Sequence, residues 1–251
     1  MSNLMKAEWF RLRHSGNSLT SLTISIAGCI IVALMQFDSN AGLSITAEML
    51  FTHSSIGVVL SVLLVTAMIT GTFNSRVANY EIMKGTPPLL SILSKTFIAF
   101  LMVTAFYYMP SIILIMIFDS GKLTIPMILL FLVCIAKVVV MAVSICIIFK
   151  DAAGSVIFMF LFMFQTTPLL LLQNLLDKDM SSVAAWFTTT QLSIIGCQTI
   201  NNFDMLALPL DVSHIEFKVI LSFILLTAVM FLLANKSLKE KWEIRLTPQQ
   251  I

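Results

Sequence analysis

Six stretches of this chain are each long enough and apolar enough to cross the hydrocarbon of a bilayer, and no other feature limits the fold so strongly. A spanning helix needs roughly 20 mostly apolar residues, with ~17–25 tolerated. The qualifying runs are residues 19–37, 53–73, 96–118, 124–149, 155–176 and 217–234. Composition agrees: 58% of the 251 residues are apolar, 11% are charged, and the mean hydropathy is +0.97. Soluble domains carry about 25% charged residues. The spans consume the length, leaving no room for a separate soluble domain. The first run is not read as a secretory leader. Its charged lead-in is long and contains Glu8 and Trp9, and its apolar stretch exceeds the usual ~7–15 residues of a leader core.

Charge distribution sets the orientation. With the N-terminus inside and six spans, eleven of the fifteen Lys and Arg residues fall on the cytoplasmic side. They are Lys6, Arg11, Arg13, Arg76, Lys84, Lys95, Lys150, Lys236, Lys239, Lys241 and Arg245. Lys122, Lys178 and Lys218 fall outside, and Lys137 lies within a span. Cytoplasmic loops collect basic residues, so both termini are expected in the cytoplasm. The segment 181–200 (SSVAAWFTTTQLSIIGCQTI) is the one ambiguous piece. A seventh crossing there would move the C-terminal lysines outside, so it reads as an outer segment that dips into the membrane or lies on it. Irregular backbone at membrane depth is tolerated only where protein or water satisfies it. The segment therefore packs among the spans or borders a pathway.

Three polar pieces stand out. Residues 3–14 (NLMKAEWFRLRH) place Met5, Trp9 and Leu12 along one side of a helix and Lys6, Arg11 and Arg13 on others. That pattern suits a helix lying in the inner interface or a plain basic flank. The loop 74–95 (NSRVANYEIMKGTPPLLSILSK) is longer than the ~2–8 residues that join neighbouring helices. It reads as a short helix over 77–83, a break at Gly85–Thr86–Pro87–Pro88, and an apolar turn into the next span. A structured loop of this kind offers a docking surface for a soluble partner, or a hairpin resting on lipid.

The third piece is Lys137, about twelve residues from either end of the fourth run, or roughly 18 Å at ~1.5 Å per residue. Such a depth defeats snorkelling. A charge there costs at least ~2.5–3.5 kcal/mol, so it should face the bundle interior or water. No carboxylate lies deep in any run. Gln165, Thr166 and carbonyls near Pro168 are the candidate partners, and together with Lys137 they are candidates to line a translocation cavity.

Other chemistries lack their residues. There is no G-x-x-x-x-G-K-[ST] phosphate loop and no H-E-x-x-H, and His14, His53 and His214 lie at or beyond span ends. The four cysteines (Cys29, Cys134, Cys146 and Cys197) are scattered and read as small apolar packing residues. No catalytic, cofactor-binding or metal-ligating set is nominated.

The order of these features resembles the ABC-2 type permeases, the membrane subunits of type V-fold ABC exporters. The stretch M-K-A-E-W-F-R-L-R (residues 5–13) resembles the basic "elbow" helix that precedes their first span. The stretch E-I-M-K-G-T-P-P-L-L-S-I-L-S-K (residues 81–95) resembles their E-x-x-x-G-T loop, which carries the helix that docks on the ATPase. An outer re-entrant hairpin joins their fifth and sixth spans, where residues 177–216 fall here.

The resemblance implies one all-α transmembrane domain over 1–251, with an elbow helix (1–17), a cytoplasmic coupling loop (74–95) and an outer re-entrant segment (177–216). It also implies a permease that dimerises, with itself or a second permease chain, and recruits two copies of a separate ATPase, which supplies ATP and Mg. Asn79, Tyr80, Glu81, Met83, Lys84 and Thr86 would be the ATPase-coupling residues, and Trp9, Phe10, Arg11 and Arg13 would belong to the elbow. Small permeases of this kind in the plasma membrane of Gram-positive bacteria export amphipathic peptides such as phenol-soluble modulins, or confer resistance to lantibiotics and other peptide antibiotics. The Phe- and Met-rich stretch VIFMFLFMF (residues 156–164) suits an amphipathic cargo, although lipid contact or packing accounts for it equally well. The alternative is a substrate-capture subunit or sensor that works without an ATPase, for which the loop at 74–95 would have no use.

Overall fold

In the computed structural model of the chain, the described residues are 4–7, 9, 10, 23, 27, 37, 38, 42, 43, 62, 65, 66, 69, 81, 85–109, 112, 113, 124–149, 154, 157, 175, 181–200 and 213–243. Nearly all are helical. The exceptions are the non-helical residues 85–87, 124, 185–187, 213 and 214 and a short antiparallel pair, Phe37–Asp38 with Gly42–Leu43, in which Phe37 faces Leu43 and Asp38 faces Gly42. The main helices are α1 (Pro88–Val103), α2 (Ile125–Phe149), α3 (Ser181–Ala184), α4 (Thr188–Ile200) and α5 (Ile215–Glu243).

Among the described residues, two helices are long and apolar enough to cross a membrane: Ile125–Phe149 and Ile215–Lys239. Their settings differ sharply. About two thirds of the apolar window of α2 (67%) is buried inside the protein, against 11% for α5. Phe131, Cys134, Ile135, Val139, Val143 and Ile147 of α2 are all buried, and α1, α4 and α5 pack around them. On α5, Phe217, Ile224, Leu225, Val229 and Leu232 are exposed.

Two contacts fix the relative direction of α2 and α5. Lys137 meets Ser222, and the Ser237 hydroxyl donates to the Ile148 carbonyl at 3.3 Å. Both partners advance together along the chain, so the two helices run parallel. By contrast, α1 runs against α2. At Val103 it continues into a π-helical turn, Thr104–Tyr108, closed by the Met109 N–H on the Thr104 carbonyl five residues back. That turn delivers Tyr108 to the first turns of α2. Its hydroxyl donates to the Ile128 carbonyl at 2.6 Å, and its ring stacks on Phe131 with centroids 5.3 Å apart.

At the N-terminus, residues 4–7, 9 and 10 are helical. Met5 packs on the core while Trp9 and Phe10 are exposed. Gly154 sits tightly against the end of α2: an added Cβ would lie 3.1 Å from the Ile145 carbonyl oxygen. Gly154 thus packs against the last turns of α2.

Candidate functional site

The centre of α2 holds a buried ammonium. Lys137 is 2% exposed, Gln191 on α4 is 0% exposed, and Ser222 on α5 is 9% exposed. The Lys137 Nζ donates to Ser222 Oγ at 2.8 Å, to Gln191 Oε1 at 3.0 Å and to the Trp186 carbonyl at 3.4 Å. Gln191 Nε2 donates to the Ala185 carbonyl at 3.1 Å and to Ser222 Oγ at 3.2 Å. Ser222 Oγ donates to the Val219 carbonyl at 3.0 Å.

The donor count closes. An ammonium has three hydrogens, an amide two and a hydroxyl one; here every one has an acceptor. Because a lysine only donates, it also dictates that the Gln191 carbonyl oxygen turns toward it. Such saturation is not general in this protein. The hydroxyls of Thr104, Ser144 and Thr227 are buried without a hydrogen-bond partner. The node therefore pins the 181–200 segment and α5 to the midpoint of α2. It does so without a carboxylate, since every acceptor on Lys137 is neutral. Gln165, Thr166 and Pro168, named as its candidate partners, lie outside the described residues.

A second polar cluster sits where the loop 74–95 enters α1. Glu81 is helical, and its carbonyl accepts the Thr86 N–H at 3.1 Å, while Gly85 has φ +82. A six-to-one backbone bond around a left-handed glycine is the Schellman ending of a helix. This is the physical content of the E-x-x-x-G-T spacing: the glutamate stands four residues ahead of a glycine in the one conformation that ends the helix there. Pro87 (φ −58) precedes α1 and Pro88 begins it, where the missing N–H costs nothing.

The Glu81 side chain then reaches across the turn. Its Oε2 accepts from Lys95 Nζ at 2.7 Å and from Ser91 Oγ at 2.7 Å, and Lys95 also donates to Ser91 Oγ at 3.1 Å. The two charged side chains are 4% and 12% exposed, Lys95 the more buried. Thr86 is half-buried. Asn79, Tyr80, Met83 and Lys84 lie outside the described residues, as do Arg11 and Arg13 of the N-terminal stretch.

Three side chains that the sequence reading did not name help to hold the two clusters, Gln191, Ser222 and Ser91, while Lys95 was named only as a cytoplasmic basic residue at the end of the loop. A signal existed for one pair. Ser91 and Lys95 are four apart, hence on one face of a helix, with Glu81 just across a glycine turn. For Lys137 the signal was weaker, an amide in an otherwise apolar stretch and one hydroxyl early in the last run. Among the described residues, no group of three or more His, Cys, Asp or Glu comes together to hold a metal. No family model matches the chain, and no curated protein or solved structure matches it either.

Proposed function

We propose that the chain is the membrane permease subunit of an ATP-driven exporter of amphipathic peptides, spanning a bacterial plasma membrane six times and driven by a separate ATPase on its cytoplasmic loop. The observation that carries this reading is the construction of that loop. A Schellman ending, two prolines and a buried ion pair connect Glu81 to α1. A surface hairpin resting on lipid needs no such joint, whereas a loop that transmits force does.

The parallel course of α2 and α5 supports the six-span topology. If both cross the bilayer, the chain between them must cross back an odd number of times. With 155–176 as that crossing, the 181–200 segment enters and leaves on the outer side, and Lys150, Lys236 and Lys239 share the cytoplasmic side. The turn at Trp186 would then dip far enough for its carbonyl to meet the ammonium at the middle of α2. There it meets the requirement that non-helical backbone at membrane depth be satisfied by protein.

The test is to purify the tagged full-length chain from its native membrane in mild detergent and identify what accompanies it by mass spectrometry. Recovery of a soluble P-loop ATPase in stoichiometric amount is the expected result. Reproducible recovery of the intact chain without any ATPase would favour the capture subunit or sensor.

A further inference from the structure

We infer that Glu81, Ser91 and Lys95 form a latch that fixes the coupling segment to α1, so that Glu81 positions the segment instead of touching the ATPase. This rests on the coupling reading above and alters the role of one of its residues. The carboxylate oxygen that faces Lys95 already receives two short hydrogen bonds, and the third side of the triangle, Lys95 to Ser91, is closed as well. Lys95 at 4% exposure has no free surface to offer. A docking contact needs a side chain that a partner can reach, and this pair is turned inward.

The backbone restricts the same joint. Gly85 is held at φ +82 by the Thr86 to Glu81 bond, and proline rings fix φ at 87 and 88. From Gly85 to Ser91 the chain has little torsional freedom left, and the ion pair ties Glu81 to that stretch. A push on the segment ahead of Gly85 then moves α1 as a lever. Without the pair, the same push would be absorbed at the turn. Docking itself falls to other residues of the loop.

The experiment uses the full-length chain with its co-purified ATPase in membrane vesicles, comparing Glu81→Lys, Lys95→Glu and the double exchange. Glu81→Gln is a milder variant that keeps an acceptor for Lys95 in case the charge reversals fold poorly. Two quantities are read: the ATPase retained per permease, and the change in hydrogen exchange over 88–109 on adding ATP, Mg and vanadate. The single variants should keep the ATPase and lose the nucleotide-dependent change by about fivefold or more, the lower end of ordinary coupling between sites. The double exchange should restore it, and Glu81→Gln should fall between. If the single variants and Glu81→Gln release the ATPase and the exchange does not recover it, Glu81 is a docking contact and the latch is wrong while the coupling reading stands. If the wild-type chain itself holds no ATPase, the coupling reading falls, and the latch loses its role with it.

Discussion

Lys137 and Lys95 are both buried lysines on apolar helices, and the protein treats them in opposite ways. Lys95, about two turns into α1, is neutralised by Glu81 and assisted by Ser91. Lys137, at the midpoint of α2, is met by a carbonyl, an amide and a hydroxyl, none of them charged. The difference follows from position. A carboxylate near a helix end can be held partly at the surface, whereas a second charge at the centre would add its own desolvation cost to that of the lysine. Neutral acceptors hold the ammonium at lower cost but leave a net charge in place. Such an arrangement works only while every donor stays matched.

The largest expected effect tests that matching. Replacing Gln191 by Leu removes the acceptor at 3.0 Å and both amide donors while leaving the ammonium buried. Hydrogen bonds to charged groups are worth ~1.5–3 kcal/mol, and an uncompensated buried charge costs more, so a loss of about 3 kcal/mol is expected. Lys137→Met should cost less, because Gln191 and Ser222 still bond to each other and to backbone. The decisive comparison is the double variant: adding Lys137→Met to Gln191→Leu should raise the thermal midpoint above that of Gln191→Leu alone. If the two losses simply add, the node is not a matched set and the contrast with Lys95 dissolves.

Next comes Lys137→Arg, with an expected loss of about 2 kcal/mol. A guanidinium brings five donors in a fixed fork to a site with three acceptors, leaving two unmet. Thermal unfolding in detergent checks this. A neutral outcome would mean the cavity holds water or room that the closed donor count does not suggest.

The two lysines also differ in how far the chain itself announced them. The depth of Lys137 was readable from the run that contains it, since α2 spans Ile125–Phe149 with Lys137 at its centre. Its partners were not readable. Gln191 and Ser222 lie 54 and 85 residues away, and the third acceptor is a backbone carbonyl, which composition cannot mark. Periodicity reports which residues share a face of one helix and is silent about which other helix that face meets. For the same reason it gave no warning that α2 and α5, both apolar enough to cross a membrane, would differ so much in burial. Inside a bilayer hydrophobicity does not drive helices together, so packing depends on shape and polar contacts. Lys95 is the reverse case. Its apolar run was read as starting at Thr96 with a turn leading into it from the Gly-Thr-Pro-Pro break, and α1 takes in that turn, beginning at Pro88 and carrying Ser91 and Lys95 within it. The apolar-run criterion stops at Lys95 because the charge interrupts the run, while the Gly-Thr-Pro-Pro break was legible from turn chemistry alone.

A smaller effect is expected at the turn that brings Glu81 to Lys95. Gly85 adopts φ +82, and nothing lies within 4 Å of where a Cβ would stand. The cost of Gly85→Ala is then purely that of the left-handed backbone, about 1 kcal/mol. Gly85→Asn, which tolerates that region better, should cost less. Equal losses for the two variants would point to a clash, in disagreement with the open space around Gly85.

The smallest effect should come from Lys95→Arg, and it sharpens the comparison because it makes the same chemical change as at Lys137. A guanidinium pairs with a carboxylate through two parallel bonds, and Glu81 keeps a carboxylate within reach of position 95. The change should stay within about 0.5 kcal/mol of wild type, because the ion pair is kept and only its geometry changes. The same exchange would thus be tolerated at one buried lysine and costly at the other, for a reason that depends on acceptors and not on burial. If Lys95→Arg proved as damaging as Lys137→Arg, burial alone would govern both sites, and the carboxylate on Lys95 would have no special part in making the loop and α1 move together.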